Sequence, residues 1–222
     1  MADKTKRLKI TIGKFVTPVG VASWPKLTEP STKFKPEGVY EGNLIFDAET
    51  GDLIREKLNK FLDDAVQKFK EEHPEKAKRI KPADLPLKDQ YDEDGEETGN
   101  VILKTSRYAS GTTKAGKAWK AKIKFADSKG RPINPKGLSL WSGSELRIYC
   151  TVSGYFVAKD NTVGIKLEID AVQIRKLVSG GRDEVEVEAL DDDDGYVHDG
   201  DEDGDDTPLD TDDQDENESV DF

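Results

Sequence analysis

Two stretches of this 222-residue sequence carry the spacing of known phosphate- or ion-binding loops, and both fall short of the chemistry. Gly111-Thr-Thr-Lys-Ala-Gly116-Lys117 matches a phosphate-cradling loop until Ala118 stands where a Ser or Thr would hold magnesium. The residues that follow alternate as a strand does, so no helix N-terminus would face a phosphate, and a glycine-containing hairpin loop is expected. Asp199-Gly-Asp201-Glu-Asp203-Gly204 opens like a calcium loop. Its twelfth place is Asp210 instead of a bidentate Glu, and no helical pattern flanks it. The two histidines, His73 and His198, sit beside no nucleophile or paired-carboxylate pattern. The chain therefore reads as non-enzymatic, with no cofactor or metal.

What remains is basic and aromatic residues interleaved on strands. In Glu145–Val152, Leu146, Ile148, Cys150 and Val152 fall on one face, and Arg147, Tyr149 and Thr151 on the other. The first set is expected to be core. Arg147 and Tyr149 then point outward, with Tyr155 and Phe156 close behind. Residues 118–126 read as one strand with Trp119, Ala121, Ile123 and Phe125 against Lys120, Lys122 and Lys124, an electropositive stripe. Lys104, Arg107, Tyr108 and Lys166 would extend it. Cations beside flat rings suit a single-stranded nucleic acid, whose phosphates need positive charge and whose bases need surfaces to stack on.

The elements that must position these residues are mostly strands. Lys6–Val16 reads as a first strand; residues 17–38, broken by four prolines, as an irregular loop; and Val39–Phe46 as a second strand with Gly42 marking a bulge. One helix follows, over about 52–73. Ile54, Leu58, Phe61, Leu62, Ala65 and Phe69 recur on one face, Asp52 serves as N-cap, and Pro74 stops the pattern. Residues 74–99 read as a surface excursion. Strands are expected again over 101–108, 118–126, 145–156 and 163–178. The set suits a mainly β chain with an OB-fold-like five-stranded barrel over residues 1–178.

Charge divides the chain. Between Asp183 and Phe222 there are 21 Asp and Glu and no Lys or Arg, although the whole carries 46 acids and 34 bases for a net charge of -12. The remainder holds 25 acids against those 34 bases, a net of about +9. Residues 179–222 have too little apolar content to offset the entropy of ordering and are expected to be disordered. Such a tail would mimic a polyanion, occupying the basic surface until DNA displaces it and Asp221–Phe222 can dock on a partner. Cys150 is the lone cysteine, and no apolar run is long enough to span a membrane.

These pieces together resemble a family. Gly38-Val39-Tyr40, Phe125-Ala-Asp-Ser-Lys-Gly130-Arg-Pro-Ile133, Ser142-Gly-Ser-Glu-Leu-Arg-Ile-Tyr149, Val163-Gly-Ile-Lys-Leu-Glu-Ile169 and the final Asp221-Phe222 are similar, in order, to the replication single-stranded DNA-binding proteins of tailed bacteriophages. The resemblance implies an OB fold that protects single strands in replication or recombination. It also implies a tail that recruits the replicative polymerase and helicase–primase, tail-mediated homodimers, and a place in the cytoplasm of an infected bacterium. By position, Arg147 and Tyr155 match the family's DNA-contacting places, and Tyr149 stands where the family can carry a lysine. The loop Gly154–Asn161 departs from the family pattern. The rival readings are an acidic-tailed adaptor or DNA mimic that binds protein alone, and an enzyme using the loop at 111–117.

Overall fold

The computed structural model describes residues 9–113 and 115–178. The acidic segment 179–222, with its expected disorder and its Asp221–Phe222 end, lies outside the described residues. The elements run β1 (Lys9–Val16), β2 (Gly20–Ser31), β3 (Val39–Phe46), α1 (Ala48–Glu72), β4 (Lys81–Pro82), β5 (Leu87–Tyr91) and β6 (Glu97–Tyr108). They continue β7 (Ser110–Thr112), β8 (Ala118–Lys120), β9 (Lys124–Ala126), β10 (Pro132–Ile133), β11 (Glu145–Val157) and β12 (Thr162–Lys176). The described chain is mainly β with one helix, as its alternating patterns imply.

The longest ladder explains the rest. β11 and β12 pair antiparallel from Val157↔Thr162 down to Glu145↔Lys176. Leu146, Ile148, Cys150 and Val152 of β11 and Ile165, Leu167 and Ile169 of β12 are buried together, as period-two alternation demands, and a register shift at Asp170 brings Val172 onto the same buried face. Against this face packs α1, whose Ile54, Leu58, Leu62, Ala65 and Phe69 are buried. The Phe69 and Phe156 rings stack with centroids 6.1 Å apart.

The main sheet is open and mixed, in the order β10-β9-β12-β11-β2-β3-β6-β5. Its inner stretch is β12-β11-β2-β3-β6, which includes β2, a segment expected to be a loop, while the expected first strand, β1, pairs with β11 off this path. β6 and β12, the ends of that stretch, meet through a side chain. Arg107 Nη1 donates to Ile169 O at 2.7 Å and to Asp170 Oδ1 at 2.8 Å.

Four expectations need correcting. Residues 20–31 form β2 instead of a loop, because Pro25 and Pro30 fall where the β2–β3 register shifts, the places a sheet tolerates proline. The bulge is on β2, opposite Gly42, and not in β3 itself. The helix begins at Ala48, capped by Asp47 and not Asp52: Asp47 Oδ1 accepts from Thr50 N at 2.8 Å, which holds the carboxyl below its usual range. The excursion 74–99 contains β4, β5 and the start of β6, and β5 pairs along β6 through Leu87↔Leu103.

Gly42 marks where opposite walls approach. A Cβ there would lie 2.8 Å from Ile148 Cδ1 and 2.9 Å from Thr105 Oγ1, whose hydroxyl donates to Gly42 O. Gly42→Ala is expected to cost about 1–3 kcal/mol through overpacking, read as a lower urea midpoint at unchanged slope. Burial, with the Asp170 carboxylate adding to it, pushes the Cys150 thiol up. Native chain at pH about 8 should therefore resist a thiol reagent that labels the urea-unfolded chain at once; rapid native labelling would contradict the burial.

Candidate nucleic-acid interface

The face of β11 and β12 opposite the core carries Arg147, Tyr149, Thr151, Ser153 and Tyr155 beside Gly164, Lys166, Glu168, Asp170 and Gln173. Tyr155 lies flat on its cross-strand partner. A Cβ on Gly164 would stand 2.5 Å from Tyr155 Cζ, so only glycine admits the ring. The same device holds Trp119, whose ring covers Gly111 where a Cβ would meet Cζ2 at 2.8 Å. Phe156 has the opposite parity and is buried against Phe69, so it is a core residue and presents no surface to a ligand. That corrects its assignment as a contact.

The first station is at the end of β6. Two ammonium groups lie near the Tyr108 ring, Lys35 Nζ at 4.6 Å and Lys166 Nζ at 4.7 Å from its centroid. Lys35 Nζ also donates to Tyr108 Oη at 2.9 Å. Trp119, 40% exposed, shares a recess with Tyr108 and Lys35. Nearby in sequence, Phe34 is 85% exposed with Lys33 Nζ 5.4 Å from its ring. Lys33, Phe34 and Lys35 were missed in the sequence because residues 17–38 were read by their prolines; the Lys-Phe-Lys triplet itself was the available signal.

The second station is a recess lined by Tyr149, Lys124, Pro135 and Gln173. Tyr149 Oη donates to Gln173 Oε1 at 3.4 Å. Gln173 Nε2 in turn donates to the Asp127 and Ser128 carbonyls at 3.2 and 3.1 Å, tying the β9–β10 turn to β12. That turn is closed by Asp127, whose carboxyl is held below its usual range by the Arg131 backbone N–H. Arg147 stands across from Gln173; its Nε is buried without a hydrogen-bond partner.

Between the stations lie two acids unforeseen in the sequence. Asp170 accepts from Arg107 Nη1 and from Thr151 Oγ1 at 2.6 Å, and Glu168 accepts from Ser153 Oγ at 3.2 Å and lies 4.0 Å from Lys166 Nζ. Arg107 is thus a clamp on β12 before it is a phosphate contact. The stripe of Lys120, Lys122 and Lys124 also needs correction. β8 ends at Lys120 and pairs with β7 in a separate two-stranded sheet, Lys122 lies in the link, and Lys124 is on β9 paired with Ala171 of β12. All three are exposed, but no single strand aligns them. Lys104 stands exposed opposite Asn43 of β3 and lines neither recess.

The end of β7 and residues 113–117, of which 114 lies outside the described residues, lead to β8, with Thr113 N donating to Lys117 O at 2.8 Å. They form the expected hairpin loop and lead into no helix. The calcium-like run at 199–210 lies outside the described residues, and among the described residues no group of three His, Cys, Asp or Glu is placed to hold a metal.

A family model described as single-stranded DNA-binding protein, bacteriophage T7, matches residues 19–177, most of the chain. The chain belongs to this family. Comparison with curated protein sequences gave no match. Among solved structures the chain is similar to gp2.5, a single-stranded DNA-binding protein encoded by bacteriophage T7. The TM-score is 0.61 at 22% identity, over 86% of this chain and 100% of that one. It is also similar to the single-stranded DNA-binding protein of bacteriophage Enc34. The C-terminally truncated form gives TM-score 0.53 at 13% identity, over 81% of this chain and 98% of that one. The form in complex with single-stranded DNA gives 0.52 at 14%, over 82% and 100%. At these identities the structures speak for a shared fold, and the family model for membership.

Asp170 offers a test of the geometry itself. Asp170→Ala removes the acceptor from a partly buried guanidinium and from Thr151, and is expected to cost about 1.5–3 kcal/mol in urea unfolding. Asp170→Asn, which keeps an acceptor oxygen, should cost less. Equal stability of all three chains would refute the clamp.

Proposed function

We propose that this chain binds single-stranded DNA with little sequence preference, in the replication or recombination of a bacteriophage. The observation that carries the reading is the Tyr108 ring with Lys35 at its hydroxyl and Lys166 near its centroid, sharing a recess with Trp119: flat surfaces for bases set among cations for phosphates. Membership of the phage family supports it, as does the Enc34 relative, whose structure was solved in complex with single-stranded DNA. The strand would pass from this recess over the outer face of the β11–β12 hairpin to Tyr149. Stacking tolerates any base, because every base has a π-face, and no chemical step is assigned to the chain.

The acidic segment after Arg182 is proposed to compete with DNA for the basic body and, once displaced, to recruit replication proteins such as a polymerase and helicase–primase. Its support is the division of charge, with 21 acids and no Lys or Arg from Asp183 onward. The site of action would be the cytoplasm of the infected host.

Titration of the full chain, and of a form ending at Gly181, with labelled oligo-dT at low and moderate salt tests both parts, with duplex DNA as control. Both forms are expected to prefer single strands, the shorter to bind more tightly, and salt to weaken both through counterion release. Tyr108→Ala and Tyr149→Ala should each cost about 1–3 kcal/mol of binding, the range for one stacked base. Failure of both forms to bind would overturn the reading in favour of an adaptor that engages proteins alone.

A further inference from the structure

Two of the three tryptophans lie outside the stations just described, and they share one groove. Trp24 sits at the β2 bulge and is 79% exposed; Trp141, in the segment leading into β11, is 46% exposed. Trp24 also has φ 46°, in the left-handed region that a bulky side chain enters only at a cost. The conformation is held from the neighbouring segment. Trp24 N donates to Ser142 Oγ at 2.9 Å, Gly143 N to Ala22 O at 2.9 Å, and Ala22 N to Ser144 O at 2.8 Å. Three hydrogen bonds therefore lace residues 22–24 to 142–144 and fix two exposed indoles on the same groove. The core gains little from either ring, so their placement is explained by what they present outward.

Charge and continuity identify the occupant. Lys26 and Lys136 line the groove against one acid, Glu29. Pro135 is a wall of this groove and also of the recess that holds Tyr149 and Lys124, so the two are contiguous. We propose that the Trp24–Trp141 groove is a further single-stranded DNA subsite, taking unstacked bases of the strand beyond Tyr149. The indoles receive bases of any identity, and Lys26 and Lys136 follow the phosphates. This subsite rests on the single-stranded DNA reading above. It adds to the length of strand covered, so short oligonucleotides fill the first stations without reaching it.

The test uses the full chain with oligo-dT of about 6 and about 16 nucleotides, the span of site sizes for one such domain. Wild type is expected to bind both. The double variant Trp24→Ala, Trp141→Ala should bind the long oligonucleotide about 10-fold or more weakly while keeping the short one within about twofold. The exposed pair Lys26→Gln, Lys136→Gln puts no core packing at risk, and should flatten the salt dependence for the long oligonucleotide alone by about 1.4 log units per log unit of salt. The subsite is overturned if both variants bind the long oligonucleotide as wild type does. It is overturned too if the losses are equal at both lengths, since the tryptophans would then act through the fold. Wild type that binds neither length removes the single-stranded DNA reading and the subsite with it.

Discussion

The arrangement depends on how β6 is held to β12. The backbone ladder joins each to other strands, and among the described residues no ladder pairs the two ends of the five-strand stretch. One guanidinium spans the join, donating to the Ile169 carbonyl and the Asp170 carboxylate, while Thr151 braces Asp170 from β11. Both bonds leave one guanidinium nitrogen, Nη1, whose two hydrogens lie in the fixed guanidinium plane and serve the two acceptors at once. Tyr108 is the next residue along β6, so the clamp also sets where the first aromatic station stands. Fold and candidate site are therefore coupled at this pair of charges, its side chains 31% and 39% exposed, where hydrogen-bond geometry matters more than Coulomb attraction.

The β11–β12 hairpin shows what the sequence made legible. Alternation placed Leu146, Ile148, Cys150 and Val152 inside and Arg147 and Tyr149 outside, because a buried face forces a period of two. The helix was equally clear, since its apolar stripe runs over several turns; only its cap was misjudged. Asp47 and Asp52 are both cap-type residues, and the choice turned on Thr50, whose backbone N–H and hydroxyl both reach Asp47. Residues 17–38 were obscured for the opposite reason. Proline density argues for a loop, yet a strand accepts proline at bulges, and β2 uses its bulges to do so.

The candidate site was legible by residue type and not by neighbourhood. Tyr108, Lys166 and Trp119 were recognisable as flat rings and a cation, but sequence offers no measure of which strands adjoin. The lysine stripe failed at Ala121, whose N–H donates to Ala109 O outside either ladder, so the segment turns from β8 toward β9 and the alternation loses its meaning. Phe156 failed more simply. It follows Tyr155 directly, and adjacent residues on a strand cannot share a face.

Glu168 and Asp170 then change what kind of binding surface this is. A groove that worked by charge alone would not carry two carboxylates on its central strand, since each opposes a phosphate. Here they are engaged: Asp170 by Arg107 and Thr151, Glu168 by Ser153 and beside Lys166. The cations closest to the strand path are thus partly spent on order, fixing where rings and backbone lie before any ligand arrives. Rings already held, Tyr155 on Gly164 and Tyr108 by the Lys35 ammonium at its hydroxyl, would lose little freedom if a base stacked on them, as proposed. In the proposed site such a surface would trade raw electrostatic attraction for preorganised stacking, which distinguishes unpaired bases from a duplex because only the former offer their faces.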